Sequence, residues 1–240
     1  MKNTLKREVV YLVSTFVLTA LFVVFTSFCG TEISFFGFLF LAVTYQIPCL
    51  CTYVFAGGKK WFKRQLKWHK KDQRLVIVII IFAFIYYLLE ILFGNVEIQA
   101  SKLLFGFVQA ILFGCASEIG WRRFFQSNLI KKLGKKDSVF IYFFLALIYT
   151  LWLVLISNIG WHIQLPNIIV LFIFMCGHSF CLGLLTSASK SAWPCIIYHF
   201  LLQWISYGLV LQFNWIATLL IAGIQILCVL FIMKVTRKQD

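Results

Sequence analysis

Glu118 and Arg122 place a carboxylate and a guanidinium one helical turn apart within the run Ala116-Ser117-Glu118-Ile119-Gly120-Trp121-Arg122-Arg123-Phe124-Phe125. At i,i+4 on a helix the two side chains share a face and can meet. A second polar pair with the same spacing, His199 and Gln203, lies in Trp193-Pro194-Cys195-Ile196-Ile197-Tyr198-His199-Phe200-Leu201-Leu202-Gln203. A third polar position, His178, follows Gly177 in another apolar stretch. A carboxylate and imidazoles brought together can hold water and move protons, while a guanidinium balances the carboxylate's charge. Ionisable groups at membrane depth are costly and usually face a bundle interior with a partner. The plainer alternative has Arg122 snorkelling to the interface, Glu118 neutralising it, and each histidine serving as a hydrogen-bonded packing residue. Spacing alone leaves both open.

The surroundings of these residues set the class. Of 240 residues, 62% are hydrophobic and 12% charged, against about 25% charged in soluble domains. The composition is that of an all-α, polytopic helical membrane protein. Apolar runs near the ~20 residues needed to cross a bilayer give eight expected transmembrane helices. They are Val9–Phe28, Ile33–Phe55, Leu75–Phe93, Leu103–Trp121, Val139–Ile156, Ile168–Ala188, Ala192–Leu211 and Trp215–Met233. The fourth could continue as an amphipathic helix towards Lys131, which would sink Glu118 and Arg122 below the surface.

The excess of 22 Lys+Arg over 8 Asp+Glu would suit a nucleic-acid partner in a soluble chain. Here the cations form short clusters between apolar runs, so no nucleic acid is expected. With both termini cytoplasmic, every Lys and Arg except Lys102 falls on the inner side, as the positive-inside rule requires. Measured from Lys190 at that surface, His199 lies roughly 13 Å deep. The chain reads as one membrane domain, 1–240, with no repeat and no soluble appendage. The first apolar run ends in Ser27-Phe28-Cys29-Gly30, a poor cleavage site, and is expected to be a retained helix.

The basic loop 59–74 interleaves aromatics with cations. It can serve as a topology anchor or as a site for anionic lipid. The eight cysteines lie mostly within spans and are expected to pack as small apolar residues. His, Cys and carboxylate groups do not fall at zinc-ligand spacing along the chain, so no metal and no other cofactor is expected.

Glu118-Ile-Gly-Trp-Arg122, followed about 70 residues later by Ser191-Ala192-Trp193-Pro194 and His199, resembles the CPBP family (CAAX proteases and bacteriocin-processing enzymes, also called the Abi family). The likeness covers roughly 113–204, with Gly183-Leu184-Leu185 and the turn before Ser191 also in place. It implies a metal-independent, glutamate-type intramembrane endopeptidase in a bacterial plasma membrane, its cavity reached from the cytoplasmic side.

The family pattern comprises Glu-Glu-x-x-x-Arg, an aromatic-x-x-x-His, and His-x-x-x-Asn/Asp. Carried over, Ser117 stands at the first glutamate, while Glu118 and Arg122 match. Leu153 stands at the histidine after Tyr149. His199 matches, and Gln203 stands at the asparagine. A serine hydroxyl is no general base near neutral pH, and Leu153 can neither hydrogen-bond nor transfer a proton. Gln203 keeps its amide one methylene further out, and ~1 Å of misplacement can cost about 10²-fold in rate.

The replacements leave two forms of the family reading open, an active endopeptidase or an impaired relative. In the active form the expected catalytic set is Glu118 on water, Arg122 orienting it, and His199 with Gln203 at the oxyanion. His178, preceded by Phe174, could enter the cavity from the sixth span and replace the missing histidine, although its place in the chain is not that of the second motif. The expected partner is a membrane-associated peptide or protein. Two other readings stay open: a non-catalytic scaffold or bacteriocin self-immunity protein, and a small transporter.

Overall fold

The computed structural model describes residues 6–28, 35–93, 100–134, 138–157 and 165–208, with single positions and a short stretch between 223 and 234. Among the described residues there are helices and no strand. α1 spans Lys6–Phe28, α2 Phe35–Ala56, α3 Gly58–Gln65, α4 Lys70–Phe93 and α5 Ala100–Gly114. A π-helical segment, Ile119–Gln126, leads into α6, Ser127–Leu133. α7 covers Ser138–Ser157, α8 Leu165–Ala188 and α9 Trp193–Gly208. The chain is an all-α polytopic membrane protein, and five described stretches are long and apolar enough to cross a bilayer. Each of the first seven expected spans overlaps a described helix, the fourth with altered bounds. The eighth, Trp215–Met233, lies largely outside the described residues, as do residues 1–5 and 235–240.

The fourth expected span does not stop at Trp121. After a turn at Cys115-Ala116 the helical path resumes and runs to Leu133, so one apolar stretch extends over Leu103–Leu133. Arg122 and Arg123 made Trp121 look like a membrane exit. Both cations instead find partners inside the bundle, and the helix continues past them. The widened π turn lets Ser127 Oγ donate to the Arg122 carbonyl at 3.0 Å. Such segments often occur at functional sites.

Aromatic packing holds this segment in place. Trp121 is fully buried and meets Tyr11 edge-on at 6.0 Å, Trp152 at 5.7 Å and Tyr149 at 5.9 Å. Trp152 Nε1 donates to Thr19 Oγ1 at 3.0 Å, satisfying the indole's polar group at depth. Thus α1, α7 and the π segment share one aromatic core. On the other side, α9 packs between α5 and α4, and α8 packs against α7.

Gly120 is required by close approach. A Cβ there would lie 2.5 Å from the Pro48 carbonyl oxygen and 2.6 Å from the Tyr11 hydroxyl. That hydroxyl also donates to the Pro48 carbonyl at 3.3 Å, so neither neighbour can retreat without breaking the contact. Gly120→Ala is expected to destabilise the fold by about 1–3 kcal/mol, the usual range for overpacking. A thermal melt of the detergent-purified protein beside wild type checks this.

Candidate active site

Glu118 stands at the start of the π segment and uses both carboxylate oxygens. Its Oε2 accepts from Arg122 Nε at 3.2 Å, and its Oε1 meets His199 Nδ1 at 2.5 Å. All three side chains are buried. A carboxylate accepts hydrogen bonds, so the short contact calls for the proton on Nδ1 and turns Nε2 away from Glu118. This is a carboxylate–imidazole dyad spanning two helices, with a guanidinium behind the carboxylate.

Arg122 is fixed in turn. Its Nη1 donates to Ser179 Oγ at 3.0 Å and to Gln126 Oε1 at 3.3 Å. Ser179 Oγ donates to the Tyr142 carbonyl at 2.8 Å, and Gln126 Nε2 donates to the Gly183 carbonyl at 3.1 Å. Glu118, Arg122 and Gln126 form one polar stripe at successive i,i+4 positions, and α8 supplies the facing acceptors. Arg122 does not snorkel; it is 1% exposed.

His178 lies beside this site, the alternative that its position on the sixth span left open. Its ring lies edge-on to His199, centroids 4.9 Å apart, between Phe174 and Tyr198. Its Nδ1 is buried without a hydrogen-bond partner among the described residues. Donor atoms of Glu118, His178 and His199 all lie within 4.8 Å of one another. The absence of zinc-type spacing along the chain therefore did not exclude a spatial cluster, because helix packing gathers residues from three helices. A divalent ion reaching all three groups would compete for the Glu118 carboxylate with the His199 Nδ1 and Arg122 contacts. It would also sit beside the Arg122 cation. The arrangement suits proton transfer better than metal ligation.

Two of the substituted motif positions, Ser117 and Leu153, fall outside the cluster. Ser117 Oγ donates back to the Gly114 carbonyl at 3.2 Å, a local helical contact. Leu153 packs against the aromatic core. Gln203 shares the His199 face of α9 and lies against Gly114 of α5: a Cβ on Gly114 would come within 2.6 Å of Gln203 Oε1 and 3.1 Å of His199 Cδ2. That oxygen is buried without a hydrogen-bond partner among the described residues.

A second polar assembly fixes the start of α9. Asp72 is fully buried and accepts from Ser191 Oγ at 2.6 Å and the Lys190 backbone N–H at 3.1 Å. Arg123 donates to the Thr186 carbonyl at 3.2 Å, to Ser189 Oγ at 3.1 Å and to the Ser191 carbonyl. The Ala192 N–H donates to the Gln65 carbonyl, and Trp193 Nε1 donates to the Leu66 carbonyl, both at 2.8 Å. The turn that delivers His199 is thus held by α3, α4 and the π segment together.

Residues 99–205 match the family model described as type II CAAX prenyl endopeptidase Rce1-like. Over this stretch the chain is similar to CAAX protease-like proteins. The match contains the expected core, 113–204, and every polar group of the Glu118 cluster. Among curated proteins nothing matches the chain.

The site also depends on residues that spacing along the chain did not single out. Within the matched stretch Ser179 and Gln126 accept from Arg122 Nη1, and outside it Asp72 anchors the turn before α9. Signals existed for two of them: Gln126 extends the Glu118–Arg122 stripe by one turn, and Ser179 adjoins His178 within an apolar run. Asp72 carried none, because it reads as one acid in a basic loop.

Removing the guanidinium would leave a buried carboxylate without its cationic partner. Arg122→Met is expected to cost about 3–5 kcal/mol, the usual penalty for breaking a buried pair. Adding Glu118→Gln should recover part of that loss. Thermal melts of the two single variants and the double variant test the coupling: purely additive losses would show that the pair is not an energetic unit.

Proposed function

We propose that this chain is an intramembrane endopeptidase that cleaves a peptide presented at the inner leaflet, with Glu118 and His199 as its central dyad. The observation that carries this reading is the buried Glu118 carboxylate shared between Arg122 and His199 Nδ1, with the unspent Nδ1 of His178 beside it. A scaffold gains little from three ionisable groups converging at membrane depth, where each must be desolvated.

In this reading Glu118 orients the imidazole rather than taking the proton itself, since both its oxygens are engaged. His199 Nε2 accepts a proton from water as the hydroxide oxygen bonds to the peptide carbonyl carbon. The carbonyl π pair moves onto oxygen, and Gln203 donates to that oxyanion from one turn along α9. The intermediate then collapses with cleavage of the C–N bond, and the imidazolium returns its proton to the departing amine. His178 positions the water. Arg122 holds the Glu118 carboxylate through its Nε contact with Oε2. No step requires Ser117 or Leu153, whose places in the fold lie outside the cluster.

A non-catalytic binding role is the second reading. It is favoured by Ser117 turning back onto its own helix and by Leu153 joining the apolar core, since two catalytic positions of the resembled pattern are then absent. The two readings separate on conservative substitutions. Glu118→Gln and His199→Ala should each lower cleavage of a membrane-presented peptide, or the complementing phenotype, by at least about 10²-fold. Membrane abundance should stay normal. Activity retained by both variants would overturn the catalytic reading and leave the binding role.

A further inference from the structure

The helix between α2 and α4 carries more charge than the fold uses. Lys59, Lys60, Lys63 and Arg64 on α3, and Lys67 and Lys70 just after it, are all exposed. The one carboxylate in this stretch, Asp72, is buried and occupied by Ser191 and the Lys190 backbone. It offers these cations no counter-charge on the outside.

The inward face of α3 is already filled. Trp61 packs on Phe124 at 6.3 Å and Phe62 on Tyr53 at 5.6 Å. The carbonyls at the helix end, Gln65 and Leu66, are taken by Ala192 and Trp193. What remains outward is a row of cations bordered by the exposed apolar side chains of Leu66 and Trp68.

Height decides what such a surface fits. The apolar stretch Leu39–Ala56 is long enough to cross a bilayer and α3 begins two residues after it, at Gly58, which puts α3 at the level of the headgroups. Cations beside a half-exposed tryptophan at that level match a phosphate-bearing headgroup with its upper acyl chain. A soluble acidic peptide would satisfy the charge and leave Leu66 and Trp68 facing water.

We propose that the outer face of α3 and the following residues to Lys70 form a binding site for anionic phospholipid. Lipid bound there bears on the active-site helix, because the end of α3 is hydrogen-bonded to the turn that opens α9. The proposal stands independently of whether the Glu118 cluster is catalytic.

The test uses the full chain in nanodiscs of phosphatidylcholine with and without phosphatidylglycerol, with native mass spectrometry reading the lipids retained. Wild type should retain phosphatidylglycerol over phosphatidylcholine by at least about tenfold, as expected from several cations acting together near a surface. The combined variant Lys59→Gln, Lys60→Gln, Lys63→Gln, Arg64→Gln should lose that preference. The same four positions changed so that all carry Arg should keep it, and so should Lys131→Gln on α6. The glutamine residues replace exposed cations, and a melt in phosphatidylcholine alone confirms that each variant is folded. Equal retention by wild type and the glutamine variant would overturn the proposal. So would α3-dependent capture of a polyglutamate peptide in neutral nanodiscs without lipid preference, which would make this a protein-docking face.

Discussion

A carboxylate cannot remain ionised within a bilayer-spanning bundle unless a cation shares its desolvation, and the pairing of Glu118 with Arg122 meets that condition. The rest of the central architecture follows from satisfying the two of them. The guanidinium has more donors than the carboxylate can accept, so Ser179 and Gln126 take the remainder and draw α8 against the π segment. The carboxylate has a second oxygen, and His199 takes it, which draws in α9. An ion pair of this kind adds little net stability by itself, because desolvation offsets most of the attraction. Its value lies in specificity, since few arrangements of these helices give both Glu118 oxygens and Arg122 Nη1 their partners.

The aromatic core supplies the stability that the polar network does not. Trp121, Trp152, Tyr11 and Tyr149 pack edge to face around the same segment that carries Glu118 and Arg122. The two faces of that segment therefore do different work, one apolar against α1 and α7, the other polar against α8 and α9. Gly120 sits where the apolar face meets α2, and its missing side chain lets the Pro48 carbonyl come close.

Helix positions were legible in the sequence because apolar run length and flanking cations report directly on the bilayer. Glu118, Arg122 and His199 were legible because each pair of polar residues repeats at one helical turn within an apolar stretch. His178 was visible as a polar group in an apolar run, but its rank in the chain could not say that packing puts its helix against the site. The continuation past Trp121 was legible as an alternative; the π geometry was not, because Arg122 and Arg123 look like surface cations until their acceptors on α8 and the following turn are known. Asp72 was hidden for the converse reason, an acid whose partners are backbone and hydroxyl groups more than a hundred residues away.

The bonds around the Ser189–Trp193 turn give α9 a mechanical character. Clamped at one end by α3, Asp72 and Arg123, the helix behaves as a lever with its fulcrum near Trp193. His199 stands about 9 Å from that fulcrum and Gln203 about 15 Å, at the rise of an α-helix. A small tilt of α9 would therefore carry Gln203 more than half again as far as His199. Both side chains face Gly114 and would move together, so the bonds at the Ser189–Trp193 turn set the place of the whole polar face of α9.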